Sequence, residues 1–168
     1  MDKVLHSSKA HDWRTPPEVF QAIEQLSSNP FTIDAAAQKG HELAPVGFGP
    51  GQAREDALSP EPWGSAHDRV WLNPPYGRAL SAFVVRAVAE AAMNSVSTTL
   101  LVPARTDTKW WKVAMMYADV VYFVEGRIKF LRADGTSSET APFPSAVISI
   151  HRLGNTNDPE AIFGWRPW

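Results

Sequence analysis

The stretch RVWLNPPYGRALSAFVVRAVAEAAMNSVSTTLLVPA, residues 69–104, contains two predicted strands with a helix between them. The apolar run Val70-Trp71-Leu72 is typical of a buried strand, and Asn-Pro-Pro-Tyr ends it abruptly. From Ala79 to Met93 apolar side chains recur at helical spacing: Leu80, Phe83, Val84, Ala87, Val88 and Ala91. A third apolar segment, 97–104, predicts the next strand. Strands joined through a helix lie parallel in one sheet, so this stretch predicts an α/β fold.

The alternation of strands and helices continues on both sides of this stretch. Thr15 is the expected N-cap of an upstream helix, with Glu18 at capping-box spacing. Asp107 or Thr108 is the expected cap of a downstream helix. The other predicted elements are a strand at 31–37, loop at 38–62, a helix at 107–118, strands at 119–126 and 127–133, a polar loop at 134–144 and a last strand at 145–151. The pattern indicates a mostly parallel central sheet flanked by helices.

Length and composition are those of one globular domain. The chain has 168 residues, of which 44% are hydrophobic and 20% charged, and we find no internal repeat. With no cysteine, disulfides and cysteine-bound metals are excluded. No apolar run reaches the roughly 20 residues that span a bilayer, and the N-terminal segment lacks the apolar core of a signal peptide. We therefore expect a cytoplasmic protein without a membrane partner.

Positive charge is concentrated in one part of the chain. The net charge is −2, which does not favour global attraction to polyanions. Residues 1–103 have a balance of −3, whereas residues 104–132 have a balance of +3. The basic residues there are Arg105, Lys109, Lys112, Arg127, Lys129 and Arg132. This asymmetry gives weak support to a nucleic-acid-binding face, and an ordinary solvated surface remains the alternative.

Several polar residues follow predicted strands directly. In a parallel sheet, ligands bind outside the carboxyl ends of the strands, and Asp34, Asn73 and the segment 103–105 all fall there. An acid at a strand end, like Asp34, commonly accepts hydrogen bonds from a ribose, although a loop carboxylate or helix cap is an equal alternative. The sequence after Asp34 lacks G-x-G-x-x-G, so no pyrophosphate site is indicated. A nucleoside without phosphates, such as S-adenosylmethionine, needs none.

The Asn-Pro-Pro-Tyr turn displays an amide and an aromatic ring. Asn73 Oδ1 and the Pro74 carbonyl can each accept a hydrogen bond from one hydrogen of an exocyclic amine, which directs its lone pair at an electrophilic methyl group. Tyr76 offers a ring on which a base can stack, and its hydroxyl is expected to be unimportant. A base within a duplex must be flipped out to reach such a turn. A rigid turn with a packed Tyr is the alternative interpretation.

The motifs taken together resemble a known family. Asn-Pro-Pro-Tyr at a strand end is the signature of amino-methyltransferases with a Rossmann-like, S-adenosylmethionine-dependent fold. The chain further resembles the phage and prophage (Dam-type) DNA N6-adenine methyltransferases in DWRTPPEVF, FTIDAAA, EDALS, WLNPPYG, LLVPARTDTKWW, GRIKF and APFPSAV, in family order from about residue 12 to 150. The resemblance implies one methyltransferase domain over residues 1–168, with its core at about 12–152.

The resemblance also implies roles for individual residues. The catalytic turn is Asn73, Pro74, Pro75 and Tyr76. The cofactor-binding residues are Trp13, Thr15 and Pro16 against the methionine part, Asp34 with Ala35 at the ribose, Asp56 with Ala57 and Leu58 at the adenine, and Asn73. We expect Arg105, Lys109, Lys112, Arg127 and Lys129 to bind double-stranded DNA. S-adenosylmethionine is the implied cofactor, and no metal is expected.

Two departures from the family pattern leave questions open. The usual glycines after the first acidic strand are replaced by Ala35, Ala36 and Ala37, so the group that holds the cofactor carboxylate is not identified. The chain shows no separate target-recognition domain, so the base sequence must be read by loops 104–112 and 126–145, or by the second subunit of a homodimer. Three other functions remain: methylation of guanine N2 in RNA, methylation of glutamine in proteins, and nucleic-acid binding without catalysis.

Overall fold

The computed structural model describes residues 13–27, 29–132, 134–136, 140–151 and 159–168. The elements are α1 (Pro17–Glu24), β1 (Ile33–Asp34), β2 (Val46–Gly47), β3 (Arg69–Leu72), α2 (Leu80–Asn94), β4 (Ser97–Pro103), α3 (Lys109–Tyr117), β5 (Val120–Val124), β6 (Ser145–Ile150) and β7 (Glu160–Trp165). Among the described residues, no helix has the length and apolar character needed to cross a bilayer.

The strands form one seven-stranded sheet in the order β2-β1-β3-β4-β6-β5-β7. Only β6 runs against its neighbours, β4 and β5, and the other paired strands are parallel. The predicted α/β fold with a mostly parallel central sheet is therefore confirmed. The carboxyl ends of β1, β3, β4 and β5 meet at one edge of the sheet, which we call the carboxyl edge, and β6 begins there.

Side-chain alternation along the strands fills two cores, one on each face of the sheet. In β3, Val70 and Leu72 pack with α2 and α3, whereas Trp71 packs on the opposite face with α1. The second face is completed by the segment after β5, where Ile128 and Phe130 are fully buried. Because successive strand residues point to opposite faces, both faces require cover, and helices alone do not provide it on the α1 side.

The first part of the sheet differs from the sequence prediction. The strand expected at 31–37 is reduced to β1, and β2 lies inside the region 38–62 that was expected to be loop. The Val46 and Phe48 N–H groups donate to the Thr32 and Asp34 carbonyls at 3.2 and 2.9 Å. A two-residue strand has no period of its own, so this pairing depends on contacts distant in the sequence.

The segment after β5 and the end of the chain also differ. Residues 127–133 were expected to be a strand, but the described part stays outside the sheet, and Leu131 forms an isolated bridge with Arg14. The last strand was expected at 145–151, yet β7 follows and pairs with β5 at the sheet edge, with an irregular register next to Val124. Residues 133 and 137–139, which belong to the predicted strand 127–133 and the predicted polar loop, lie outside the described residues.

Candidate active site

Asn73 directly follows β3 at the carboxyl edge, and its amide is held in one orientation. Asn73 Nδ2 donates to the Trp13 carbonyl and, at 3.0 Å, to Thr15 Oγ1. Two acceptors around Nδ2 assign the other amide atom as Oδ1. Asn73 Oδ1 is buried and has no hydrogen-bond partner among the described residues. Leaving a buried acceptor unpaired costs roughly 1–3 kcal/mol, which a donor on a ligand would recover.

Thr15 has a different structural role from the one predicted. It was expected to cap α1, but the N-cap is Pro16 and no side chain caps this helix. Thr15 is 1% exposed, and its hydroxyl accepts from Asn73 instead. The two prolines after Thr15 fix the backbone at the helix start, so the helix can begin without a capping hydroxyl. The capping-box interpretation was therefore wrong, and Thr15 belongs to the Asn73 site.

Tyr76 is packed into an aromatic cluster that we define as Trp13, Tyr76, Phe130 and Phe143. The Tyr76 ring meets Phe130 and Phe143 edge to face, with centroids 6.1 and 5.5 Å apart, and Trp13 meets the same two rings at 5.4 Å. The Tyr76 hydroxyl donates to the Leu101 carbonyl at 3.1 Å, and burial raises the pKa of this phenol well above its usual value. The hydroxyl thus helps to orient the ring, and the expectation that it is unimportant for activity stays a prediction.

Phe130 and Phe143 were not assigned any role from the sequence. Both lie in segments that carry the family resemblance, GRIKF and APFPSAV, yet a single phenylalanine in a short segment gives no sign of which ring it will meet. The segment after β5 brings Phe130 to the cluster through the Leu131–Arg14 bridge, and Ala141 N–H donates to the Ile128 carbonyl at 3.1 Å. The cluster is assembled by pairing that is remote in the chain.

A cavity of about 500 Å³ opens beside Asn73 at the carboxyl edge. Its wall includes five of the predicted cofactor-binding residues, which are Ala35, Asp56, Ala57, Leu58 and Asn73, together with Pro75 of the turn. Its size lies within the range of roughly 300–1,000 Å³ that is usual for small-molecule sites. Trp13, Thr15 and Asp34 line a narrower hollow next to it, which Asn73 also borders. Pro16, Pro74 and Tyr76 do not line either of these two spaces.

Asp34 is buried, with 3% of its surface exposed. Its Oδ1 accepts from the Ala36 N–H at 3.2 Å and its Oδ2 from the Leu43 N–H at 3.3 Å. Burial raises the pKa of this carboxyl to about 6, against the lowering effect of those two hydrogen bonds. The observed contacts tie the two ends of the loop after β1 together. A contact from Asp34 to a ribose stays a prediction.

The loop that carries Asp56 is held in place by hydrogen bonds from the Trp63 and Arg86 side chains. Asp56 is exposed, and its Oδ1 accepts from the Leu58 N–H at 2.8 Å, which closes a tight turn at the cavity wall. Trp63 Nε1 donates to the Ala57 carbonyl at 2.6 Å, and Arg86 donates to the Ser59 carbonyl at 2.7 Å. Arg86 also forms a buried i,i+4 pair with Glu90. This network fixes the wall of the cavity.

The five predicted DNA-binding residues are all exposed: Arg105, Lys109, Lys112, Arg127 and Lys129. Arg105 follows β4, Lys109 begins α3, and Arg127 follows β5, so three of them flank the carboxyl edge. Within the described part of the chain, none of the five makes an ion pair. The described residues also contain no group of three or more His, Cys, Asp or Glu side chains able to hold a metal ion.

A comparison with solved structures defines the class of fold. A protein of Listeria monocytogenes described as a class I S-adenosylmethionine-dependent methyltransferase superposes with a TM-score of 0.52, at 12% identity, over 94% of this chain and 67% of that one. The fold is thus that of the class I S-adenosylmethionine-dependent methyltransferases, as the resemblance implied. At this identity the comparison supports a conclusion about the fold alone.

Sequence comparison gives the family. The profile of the DNA N-6-adenine-methyltransferase (Dam) family matches residues 3–163, and the chain belongs to this family. The chain is also 27% identical over 113 residues to a DNA N-6-adenine-methyltransferase of Escherichia phage T1. That match covers 67% of this chain but 44% of the phage T1 protein, so the chain spans less than half of that relative. Fold and family together imply S-adenosylmethionine as the cofactor.

Proposed function

We propose that this chain transfers a methyl group from S-adenosylmethionine to the N6 amino group of adenine in double-stranded DNA, at a short specific sequence. The observation that supports this most directly is the buried, unpartnered Asn73 Oδ1 at the wall of the cavity. A neutral acceptor at this place suits a planar amine, because the amine nitrogen becomes positively charged as its new bond forms. A hydrogen bond to Asn73 then strengthens as the reaction proceeds.

The cavity residues suit the cofactor. The bound cofactor supplies a methyl group made electrophilic by a sulfonium. Asp56 and the Leu58 side chain offer an acceptor and an apolar surface at one part of the wall, and Asn73 stands at another. Ala35 and Ala57 are buried, and their small side chains take up little of the cavity volume. Asp34 remains the proposed ribose acid, and Trp13, Thr15 and Pro16 act by holding Asn73 and the start of α1 in place.

The turn and the aromatic cluster would hold the flipped adenine. Asn73 Oδ1 accepts from one N6 hydrogen and the Pro74 carbonyl from the other, and no strong base is needed because the proton becomes acidic only as the new bond forms. Pro74 and Pro75 fix φ and keep these acceptors in place. Tyr76 holds the base by ring contact, a contribution of about 1–3 kcal/mol for a stacked base. DNA would approach the carboxyl edge over the basic residues, in the cytoplasm of a bacterial host.

Labelled methyl transfer to DNA, RNA and protein tests the proposal. Purified protein with labelled S-adenosylmethionine is expected to label unmethylated DNA, with the label on adenine N6. Asn73→Ala should lower kcat by at least about 100-fold, as for the loss of one preorganised group in a transition state. Cofactor affinity should change much less, and turnover is counted per folded molecule.

Three results would contradict the proposal. Labelling of RNA guanine or of protein glutamine in place of DNA would favour the related methyltransferases, and DNA binding without transfer would favour a silent binding module. If Asn73→Ala lowered the melting temperature but left turnover per folded molecule unchanged, Asn-Pro-Pro-Tyr would be only a rigid turn. Pro75→Ala is the comparison variant: it loosens the same turn but leaves the Asn73 amide and the Pro74 carbonyl present, so it should lower turnover less than Asn73→Ala.

A further inference from the structure

We propose that Arg14 binds the carboxylate of the methionine part of S-adenosylmethionine, an inference that rests on the proposed function. The N–H groups of the alanine segment after β1 are already occupied. The Ala35, Ala36 and Ala37 N–H groups donate to the Trp71 carbonyl, to Asp34 Oδ1 and to the Phe48 carbonyl, at 3.0, 3.2 and 2.9 Å. All three donors of the alanine segment are therefore used within the protein. A basic side chain in the cavity wall is the stronger candidate for binding a carboxylate.

The cavity wall contains two basic residues, Arg14 and Lys39, among the residues described. Arg14 is half-buried, whereas Lys39 is exposed. A guanidinium presents several N–H groups in a fixed plane and can bind both oxygens of a carboxylate, which an ammonium on a flexible stem does less well. Burial reduces the screening of a charge by water, so the half-buried Arg14 is the stronger partner for an anion.

Arg14 lies at the end of the cavity where the methionine part must be. Its chain neighbours, Trp13 and Thr15, both accept a hydrogen bond from Asn73 Nδ2. Asp56 belongs to the loop between β2 and β3 and lines the same cavity. The methyl group has to reach an amine held by Asn73. The adenine end of the cofactor therefore belongs near Asp56, and its amino-acid end near Arg14.

The position of Arg14 is fixed by its backbone and by one side-chain bond. Arg14 N–H donates to the Leu131 carbonyl at 3.3 Å, and Leu131 N–H donates to the Arg14 carbonyl at 2.8 Å. Arg14 Nε donates to Gln38 Oε1 at 2.6 Å. Among the described residues no carboxylate forms an ion pair with Arg14. Within the described part of the chain, the two terminal nitrogens of the guanidinium have no hydrogen-bond partner, so they remain for a ligand.

Two nucleosides that differ in the amino-acid part provide the test. S-adenosylhomocysteine carries the carboxylate, and 5′-methylthioadenosine lacks the whole amino-acid part. By calorimetry, Arg14→Met should weaken binding of S-adenosylhomocysteine about 10- to 100-fold, as expected for a charge-assisted contact, and change 5′-methylthioadenosine binding less than about twofold. Arg14→Lys should lose less affinity for S-adenosylhomocysteine than Arg14→Met. Lys39→Met, which removes the other cation of the wall, should change neither affinity appreciably.

The results that would overturn the inference are distinct from a failure of the proposed function. Equal losses for both nucleosides in Arg14→Met would mean that Arg14 only supports the wall through Gln38, and an unchanged S-adenosylhomocysteine affinity would remove Arg14 from the site. A selective loss in Lys39→Met would assign the carboxylate to Lys39. Each of these results leaves adenine methylation standing. If Arg14→Met melts at a lower temperature than wild type, Arg14→Gln repeats the comparison.

Discussion

At the residue scale, Asn73 and Tyr76 are each oriented by hydrogen bonds to different partners. Asn73 uses its donor end within the protein, and its acceptor has no partner among the residues that the structure describes, which suits a ligand that donates. Tyr76 uses its hydroxyl on the Leu101 carbonyl, so its ring is oriented before any base arrives. The sequence predicted both residues because their type and spacing carry the chemistry. It did not predict what holds them, because Trp13, Thr15 and Leu101 are remote in the chain.

At the same scale, the raised pKa of Asp34 predicts how the stability of the protein depends on pH. Its pKa is about 6 in the folded protein against an ordinary value of 3.8, so the folded state binds this proton more tightly than the unfolded state. The resulting stabilisation is fully present below pH 3.8 and is lost as the pH rises through about 6. The shift corresponds to about 3 kcal/mol at about 1.4 kcal/mol per unit. Asp34→Asn carries no charge and should gain stability relative to wild type between pH 4 and 7.

Denaturant unfolding across this pH range measures the effect, and Asp68→Asn is the matched variant. Burial opposes the ionisation of Asp68, but hydrogen bonds from Ser65 and Thr32 outweigh it and lower the pKa of this carboxyl. Asp68→Asn should therefore lose stability relative to wild type as the pH rises, the opposite direction to Asp34→Asn. If the two variants showed the same pH dependence, the assignment of a raised pKa to Asp34 would be wrong.

At the scale of elements, segments with a clear apolar pattern were predicted well, whereas the two edge strands of the sheet, β2 and β7, were not. The bounds predicted for β3, α2, β4 and α3 agree with the structure to within about two residues, and Thr108, one of the two predicted caps, caps α3. Each of these elements contains an apolar run or apolar side chains at helical spacing, which the sequence shows directly. By contrast, β2 exists only through backbone pairing with β1, and β7 only through pairing with β5. No local pattern encodes such pairing, so sequence analysis missed both.

At this scale, we expect the support of the loop of residues 55–63 to determine both stability and nucleoside affinity. Trp63 is 2% exposed, and Trp63→Phe removes the hydrogen bond to the Ala57 carbonyl as well as part of the packing. The unpaired carbonyl and the space left behind should cost about 2–4 kcal/mol. Because Asp56 and Leu58 then lose their support, affinity for S-adenosylhomocysteine should fall about tenfold or more. Thermal unfolding and calorimetry measure the two effects.

Trp110→Phe is the matched variant for Trp63→Phe. Trp110 is 9% exposed and belongs to the same core, so its replacement also removes buried ring volume. It makes no described hydrogen bond to the 55–63 loop. Both variants should unfold at lower temperature, but only Trp63→Phe should lose nucleoside affinity. A comparable loss of affinity in both would show that general loosening of the core, and not the Ala57 contact, sets the cavity wall.

At the scale of the whole molecule, the carboxyl edge is divided between two kinds of surface. The cavity lies on the side of β1 to β3, and the exposed basic residues follow β4 and β5 or belong to α3. The net charge of −2 gives no general attraction to DNA, so under the proposed function the attraction would come from this local group. Under the proposed function, this separation would place a phosphate backbone beside the turn that receives the flipped base, and not over the cofactor cavity.

We expect the exposed basic residues to determine the salt dependence of duplex binding. Each Lys or Arg that neutralises a phosphate releases counterions, so the slope of log K against log salt should shrink by about 0.9 for each contact removed. Replacing Lys109, Arg127 and Lys129 together by Ala should reduce the slope for duplex binding by about 2 to 3. Affinity for S-adenosylhomocysteine should stay unchanged, which serves as the control for folding. Filter binding or anisotropy over a salt series measures the slope. An unchanged slope would place the DNA on another face, because exposed side chains that contact no phosphate cannot alter counterion release.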